Sequence, residues 1–543
     1  MKKINCFLLL LLAVLCSAPM LATDTVRVKQ TKIPVLIERE DNVLFYFRID
    51  ASESEVLNEL KFKISDDTNL DEIEAIKLYY SGTESVQREN EIHYAPVGYI
   101  SSHSPGNTLK ANSSYSIKVV EQRKPSTNVT LSPNYKLFPG TNYFWVSLQM
   151  KPSTSVISKV DIELLSAQLD HNNAPLLFDT ESAAHRMGVG VRHAGDDGSD
   201  AFRIPGLATS NEGTLLSVYD VRYNSSVDLQ EHVDVGLSRS TDKGKTWEKM
   251  IIPMSFGEEG GMPKAQNGVG DPAILVDTKT GAIWTIAAWT HGMGNHRAWH
   301  NSQDGMTKER TAQLVLSKSI DDGKTWSDPI NITEQVKDPS WKFLLQGPGR
   351  GITMLDGTLV FPIQYIDSTR IPNAGIMYSK DRGETWHIHN HARTNTTEAQ
   401  VAEVTPGVLM LNMRDNRGGS RAVATTIDLG ETWAEHPSSR SVLQEPVCMA
   451  SLIKVESEDN VYGKDILLFS NPNTTKGRHH ITIKASVDGG HSFPVEYDVL
   501  LDEAHGWGYS CLTMIDSETV GILYESSVAH MTFQAVPLKD ILK

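Results

Sequence analysis

Cysteine is scarce in this chain of 543 residues: there are four, Cys6, Cys16, Cys448 and Cys511, and two of them fall near the start. Only Cys448 and Cys511 remain for the body of the protein, which excludes a disulfide-built scaffold. Spacing alone leaves open whether they pair. Excess positive charge is missing too. The net charge is −16 at pH 7, which argues against a nucleic-acid partner, because such surfaces are basic. An anionic ligand would be disfavoured by the field of the whole molecule and would need a local cluster of cations. No apolar run reaches the roughly 18 residues of a membrane-spanning helix. The run Leu8-Leu9-Leu10-Leu11-Leu12-Ala13-Val14-Leu15 follows Met1-Lys2-Lys3 and leads to Ser17-Ala18-Pro19-Met20-Leu21-Ala22. This reads as a cleaved secretory signal peptide over residues 1–22 and predicts export to the periplasm, cell surface or medium. Lipid attachment at Cys16 is the alternative, but Ala13-Val14-Leu15 lacks the small residue expected just before it.

Long helical periodicity is absent as well. From Thr23 to about residue 180 the chain alternates as strands do, in Val43-Leu44-Phe45-Tyr46-Phe47, Tyr143-Phe144-Trp145-Val146-Ser147-Leu148 and Val160-Asp161-Ile162-Glu163-Leu164-Leu165. Turn residues such as Pro139-Gly140 separate them. Residues 23–180 are therefore expected to form a β-sandwich domain, either carbohydrate-binding or a structural companion to the catalytic part of the chain.

Residues 181–543 repeat themselves. The pattern Ser/Thr-x-Asp-x-Gly-x-Thr/Ser-Trp/Phe occurs five times: Ser240–Trp247, Ser319–Trp326, Ser379–Trp386, Thr426–Trp433 and Ser486–Phe493. Its aspartates (242, 321, 381, 428 and 488) are 79, 60, 47 and 60 residues apart, room for several strands per unit. In a hairpin, Asp and Ser/Thr side chains satisfy turn N–H groups and Gly supplies a positive φ. The aromatic residue anchors the turn against neighbouring strands. A reaction centre is needed once and these occur five times, so they are marks of the fold. Apolar runs such as Leu314-Val315-Leu316 and Leu359-Val360-Phe361 supply the strands of each unit.

These boxes resemble the Asp boxes of the sialidase (neuraminidase) superfamily, and further motifs stand in family order. Phe202-Arg203-Ile204-Pro205 is similar to the family's F/Y-R-I-P, Leu411-Asn412-Met413-Arg414 to its L-N-x-R, and Arg478 lies where the third arginine is expected. Thr397-Glu398-Ala399-Gln400-Val401, Tyr509-Ser510-Cys511-Leu512 and Gly521-Ile522-Leu523-Tyr524-Glu525 resemble the segments carrying the catalytic glutamate, the tyrosine nucleophile and a bracing glutamate. The resemblance implies an all-β chain with a six-bladed β-propeller as catalytic domain. It implies an exo-α-sialidase acting on sialylated glycans, with Arg203, Arg414 and Arg478 gripping the sugar carboxylate and no metal or cofactor. Glu398, Tyr509 and Glu525 take the roles just named. Family spacing favours Asp228 as general acid, with Asp220 as the other candidate. Arg222 is expected beside the carboxyl or ring hydroxyls, and Asp271, in Gly270-Asp271-Pro272, near the glycerol and N-acyl end.

The chemistry suits these residue types. Planar, permanently charged guanidinium forks match a carboxylate bidentately, and converging arginines need a counter-charge such as Glu525. Sialic acid carries its carboxylate on the anomeric carbon, so an anionic nucleophile would be repelled where a neutral tyrosine is not. A phenol, with its pKa of about 10, needs a base, the part expected of Glu398. The acid at Asp228 should have a raised pKa once the site is occupied. Trans-sialidase activity would use the same residues, and a non-catalytic sialoglycan-binding propeller would use the arginines alone. Elsewhere, His291, His296, His300 and His479-His480 lack metal-ligand spacing. Gly257, Gly260 and Gly261 precede no phosphate-loop Lys-Ser/Thr pair. Oligomeric state is not legible.

Overall fold

A computed structural model describes residues 24–83, 86–88, 91–93, 116–170, 173–180, 184–294 and 296–542. The signal-peptide reading of residues 1–22 lies outside the described residues. The fold is all-β, as expected, and among the described residues α-helix is confined to single turns such as Ala298–Asn301, Thr333–Val336 and Leu538–Ile541. Among the described residues no helix is long and apolar enough to cross a membrane.

The N-terminal part builds two main sheets on one core, beside two short two-stranded ones. A six-stranded sheet runs Leu176–Phe178, Thr25–Lys29, Asn42–Ala51, Gly140–Met150, Ile73–Gly82 and Ile117–Arg123. A four-stranded sheet runs Asn128–Leu131, Glu59–Ile64, Ile162–Gln168 and Asn173–Ala174. Glu59–Ile64 shows the reason: Leu60, Phe62 and Ile64 are buried while Lys61 and Lys63 are exposed, a period of two. Phe45 stacks on Phe62 at 5.9 Å between ring centroids, across the two sheets. The other face of the larger sheet is covered too, because Tyr46, Tyr79, Tyr143 and Trp145 pack on Val528 and Ala529.

From residue 185 onward the described residues form six main sheets in succession, mostly antiparallel, beside a two-stranded one of Gly419–Ser420 and Gln444–Glu445. The first comprises Ala201–Thr209, Leu215–Arg222, Val233–Ser240 and Ile251–Met254. The leading strands of the later sheets are Val269–Val276, Phe343–Gln346, Thr396–Thr405, Ser451–Val455 and Ser510–Asp516. The strand Ala201–Thr209 contacts both Val269–Val276 and Ser510–Asp516, so the first sheet lies beside the second and the sixth. The sixth sheet is closed by both ends of this region: Met531–Pro537 pairs with His185–Arg192. The parallel pairing of Val35–Leu36 with Met187–Gly188 ties the N-terminal part into the same sheet.

Each Asp box joins the third strand of a sheet to its fourth. In the third sheet Asp381 accepts from Thr385 N at 2.9 Å and Thr385 Oγ1 at 2.6 Å, while Gly383 N donates to Ser379 Oγ at 2.8 Å. The other four repeat this set around Asp242, Asp321, Asp428 and Asp488. The residue before the glycine is left-handed as well, as at Arg382 (φ 63) before Gly383 (φ 93). A Cβ on Gly383 would stand 2.5 Å from the Trp284 ring. Six sheets carry five boxes because the sixth takes its outer strand from residues 185–192, so no box-bearing turn links its third strand to its fourth.

Candidate active site

The leading strands carry their site residues at irregularities. The pairing slips between Arg203 and Gly206, between Gly270 and Ala273, and between Thr396 and Ala399. Bulges of this kind turn a side chain out of the sheet and towards a site. Ile204 (φ 63) and Asp271 (φ 58) are left-handed, a conformation that is an outlier for a β-branched residue. Ile204 is held there by its N–H, which donates to Glu525 Oε1 at 3.0 Å.

A cavity of about 630 Å³ opens at these strand ends, lined by Arg203, Asp228, Asp271, Glu398, Arg414, Arg478 and Tyr509 among others. Seven of the nine residues expected from sequence thus line one cavity. Glu525, fully buried, lies directly behind it and accepts from Arg203 Nε at 2.6 Å and Tyr509 N at 3.0 Å. Tyr509 is the centre of the cluster. Its hydroxyl donates to Glu398 in a short hydrogen bond and accepts from Arg414 Nη1 at 3.1 Å. Arg414 Nη1 also pairs with Glu398 Oε2 at 2.6 Å. The guanidinium carbons of Arg203 and Arg478 stand 5.5 and 5.4 Å from the Tyr509 ring centroid.

Electrostatics follow from this packing. Burial and the Glu398 charge push the Tyr509 phenol well above its usual range, against the pull of Arg414 and Arg478. The phenol is therefore neutral, with a carboxylate placed to take its proton. For Asp228, burial works upward, but Arg222, Arg203 and Arg297 hold its carboxyl below the ordinary value. The expectation for this residue concerned the occupied site; in the free pocket the shift runs the other way because three guanidinium groups surround it.

Between the two acid candidates the geometry discriminates. Asp228 lines the cavity with its side chain 48% exposed, and bonds Arg222 Nη1 at 2.9 Å. Asp220 is fully buried, held by Arg222 at 2.8 Å and by Asp271 N at 2.7 Å, and it does not reach the cavity wall. Arg222 differs from its expectation as well. It is buried behind the wall, with its donors on Asp220, Asp228 and the Ser226 carbonyl, and so orients the Asp228 carboxylate from below. Burial and the Asp220 charge push the Asp271 carboxyl well up.

Several residues of the site escaped sequence reasoning. Trp507 lies under Arg203, 4.7 Å from ring centroid to guanidinium carbon, and its carbonyl accepts from Arg478 Nη1 at 2.9 Å. A signal existed: Gly506 and Gly508 flank it, and a Cβ on Gly506 would stand 2.6 Å from the Glu525 carbonyl. Arg297, 3.8 Å from Asp228 Oδ2, and the apolar wall of Leu229, Trp299, Phe343 and Leu345 come from segments without a motif, the last two from the strand Phe343–Gln346. Cys448 and Cys511 are separate buried thiols, the former packed against Ile204, Met449 and Tyr509. Among the described residues no group of His, Cys, Asp and Glu could hold a metal ion.

Comparison with known proteins agrees with this geometry. Residues 23–173 match the family described as the N-terminal domain of BNR-repeat neuraminidase, and residues 204–525 match the BNR repeat-like domain. A sialidase of Bacteroides fragilis is 69% identical over 531 residues, covering 97% of this chain and 98% of that protein. A sialidase of Clostridium perfringens is 32% identical over 61% of this chain and 87% of its own length. The solved structure of Hadza microbial sialidase Hz136 superposes with a TM-score of 0.91 at 60% identity, covering 95% of this chain and all of that one. With its repeats, its N-terminal unit and its near full-length relative in accord, the chain belongs to the bacterial BNR-repeat sialidase family of glycoside hydrolases.

Proposed function

We propose that this exo-α-sialidase releases terminal α-linked sialic acids from oligosaccharides, glycoproteins or glycolipids with retention of configuration, using Tyr509 as nucleophile. The observation that carries the reading is the meeting of three arginines on one phenol: Arg414 bonds the Tyr509 hydroxyl while Arg203 and Arg478 flank its ring. A small anion bound to all three would set its anomeric carbon beside that hydroxyl. In the first step Glu398 takes the phenolic proton and the Tyr509 oxygen attacks the anomeric carbon. The bond to the leaving oxygen breaks, and Asp228 delivers a proton to that oxygen. In the second step Asp228 takes a proton from water, the water oxygen attacks the same carbon, and Tyr509 departs, regaining its proton from Glu398. Two inversions give retention. Glu525 fixes Arg203, Arg222 orients Asp228, and Asp271 faces the substrate across the pocket.

The architecture we read is a six-bladed β-propeller over residues 181–543, preceded by a β-sandwich over residues 23–180. Six successive sheets, closure by both ends of the region and a pocket at the leading-strand ends support it. The amino-terminal signal-like segment supports export, where sialylated glycans are met. The test is product analysis on sialyllactose with and without added isotope-labelled lactose. Free sialic acid is expected in both; transfer to lactose would make the chain a trans-sialidase, and no release at all would leave a glycan-binding propeller.

A further inference from the structure

Two loops surround the buried side of Arg203, and both are touched by the N-terminal part. Ala504–Gly508 carries Trp507 beneath the Arg203 guanidinium, and Ser526–His530 comes directly after Glu525. They interlock. Asp502, fully buried, accepts from Ser527 N at 2.7 Å, Ser527 Oγ at 2.8 Å and Ala504 N at 3.1 Å. The His530 ring lies 4.9 Å from Trp507, and its Nδ1 accepts from Phe202 N at 3.3 Å, one residue before Arg203.

The N-terminal part fastens both loops from outside. Lys32 N donates to Glu503 Oε2 at 3.0 Å and Glu503 N donates to the Lys32 carbonyl at 2.7 Å. Arg39 Nη2 donates to the Val528 carbonyl at 2.6 Å. Val528 and Ala529 are sealed beneath Tyr46, Tyr79, Tyr143 and Trp145 of the six-stranded sheet. A carboxylate-binding guanidinium acts well only when its orientation is set before substrate arrives. An unsupported 526–530 loop would let Glu525 and Trp507 drift, and Arg203 with them.

We propose that the N-terminal unit is a positioning element of the catalytic site: docked on Ser526–His530 and fastened through Arg39, it holds Glu525 and Trp507 against Arg203. This rests on the reading of Arg203 as a carboxylate ligand. The carboxylate is bound equally in the ground and transition states, so loosening Arg203 raises KM and leaves kcat in place.

The experiment uses the full-length chain. Arg39→Ala removes the charge-assisted hydrogen bond to the Val528 carbonyl, together with a contact to His193 Nδ1 at 3.3 Å, and should raise KM for sialyllactose about three- to tenfold with kcat within about twofold. The Kd of 2-deoxy-2,3-didehydro sialic acid should rise by the same factor, and Arg39→Lys should recover most of both. Lys159→Ala is the control. It breaks a pair with Asp540 (2.9 Å) that also joins the two parts but meets neither loop, and should leave KM unchanged. An unchanged KM in folded R39A, or an equal rise in K159A, would overturn the inference. Should R39A fail to fold, Ser527→Ala, which loses only the bond to Asp502, must raise KM in the same direction or the inference is overturned. Arg203→Ala separates the two claims: if it keeps normal affinity for the analogue, the carboxylate reading itself is wrong.

Discussion

Removing one oxygen atom from Tyr509 tests the reaction most sharply. In Tyr509→Phe the ring keeps its place, because it is 5% exposed and flanked by Arg203 and Arg478 at 5.5 and 5.4 Å. What disappears is the hydroxyl, with its bonds to Glu398 and to Arg414 at 3.1 Å. Arg414 and Glu398 still hold each other at 2.6 Å, so the carboxylate grip survives. Affinity for the 2,3-didehydro analogue should therefore change by less than about threefold, under ~0.7 kcal/mol. Turnover behaves differently. The phenol supplies the bond-forming atom and gives Glu398 its task, and loss of a positioned proton-transfer partner alone is worth about 10²- to 10⁴-fold. We expect kcat on sialyllactose to fall about 10³-fold, ~4 kcal/mol of barrier. Single-turnover release of sialic acid together with calorimetric titration of the analogue measures both quantities. Wild-type turnover in Y509F would refute the nucleophile assignment, and a hundredfold loss of affinity would show that the hydroxyl serves binding instead.

Other outcomes rest on the same geometry. Asp228→Asn should slow release from sialyllactose far more than from a sialoside with an acidic aryl leaving group, which needs no proton; equal losses on both would remove Asp228 from the acid role. Arg297→Gln withdraws a cation 3.8 Å from Asp228. Its carboxyl should then keep its proton to higher pH, moving the alkaline limb of kcat/KM upward; a downward shift contradicts this. In Glu525→Gln the buried guanidinium of Arg203 loses its charge partner, which should cost about 3–5 kcal/mol of stability and activity together, read by Tm and kcat/KM. Gly383→Ala forces a Cβ to 2.5 Å from Trp284 at φ +93 and should lower Tm by several degrees without moving KM. For acid stability, partial burial pushes Asp321, Asp381 and Asp488 up, yet hydrogen bonds hold these three and Asp428 down at about 2. Carboxyls depressed in the folded state stabilise it above their unfolded value near 4 and lose that contribution as pH falls towards 2. Replacing Asp381 by Asn should flatten the loss of Tm over that range.

What was legible in the sequence was mainly what is local. An Asp box writes its hydrogen bonds between residues four apart, so Asp381 and Thr385 announce the turn by themselves. Arg203, Glu398, Arg414, Tyr509 and Glu525 stood in motifs and Arg478 at a fixed distance from the fifth box, and the fold gathers them within one cavity and its rear wall. Family spacing favoured Asp228 over Asp220, but their difference in burial was not legible: both bond Arg222, and of the two only Asp228 lines the cavity. Nor was the buried position of Arg222. Leu229, Phe343 and Leu345 meet only when separate sheets come together, and nothing in their immediate neighbours marks them. The contact of the six-stranded sheet with Val528 and Ala529 spans more than 380 positions of sequence, so no local signal could have revealed it.

The way the sixth sheet is completed has a consequence for how the enzyme comes into being. Arg203 waits across 322 residues for Glu525, and His185–Arg192 waits longer still for Met531–Pro537. A polypeptide emerging from the ribosome therefore makes Arg203 early and its counter-ion nearly last. Until the final strand arrives His185–Arg192 has no antiparallel partner and the hydrolase is silent, so a chain cut short by even its last dozen residues should show up as an inactive, protease-sensitive product.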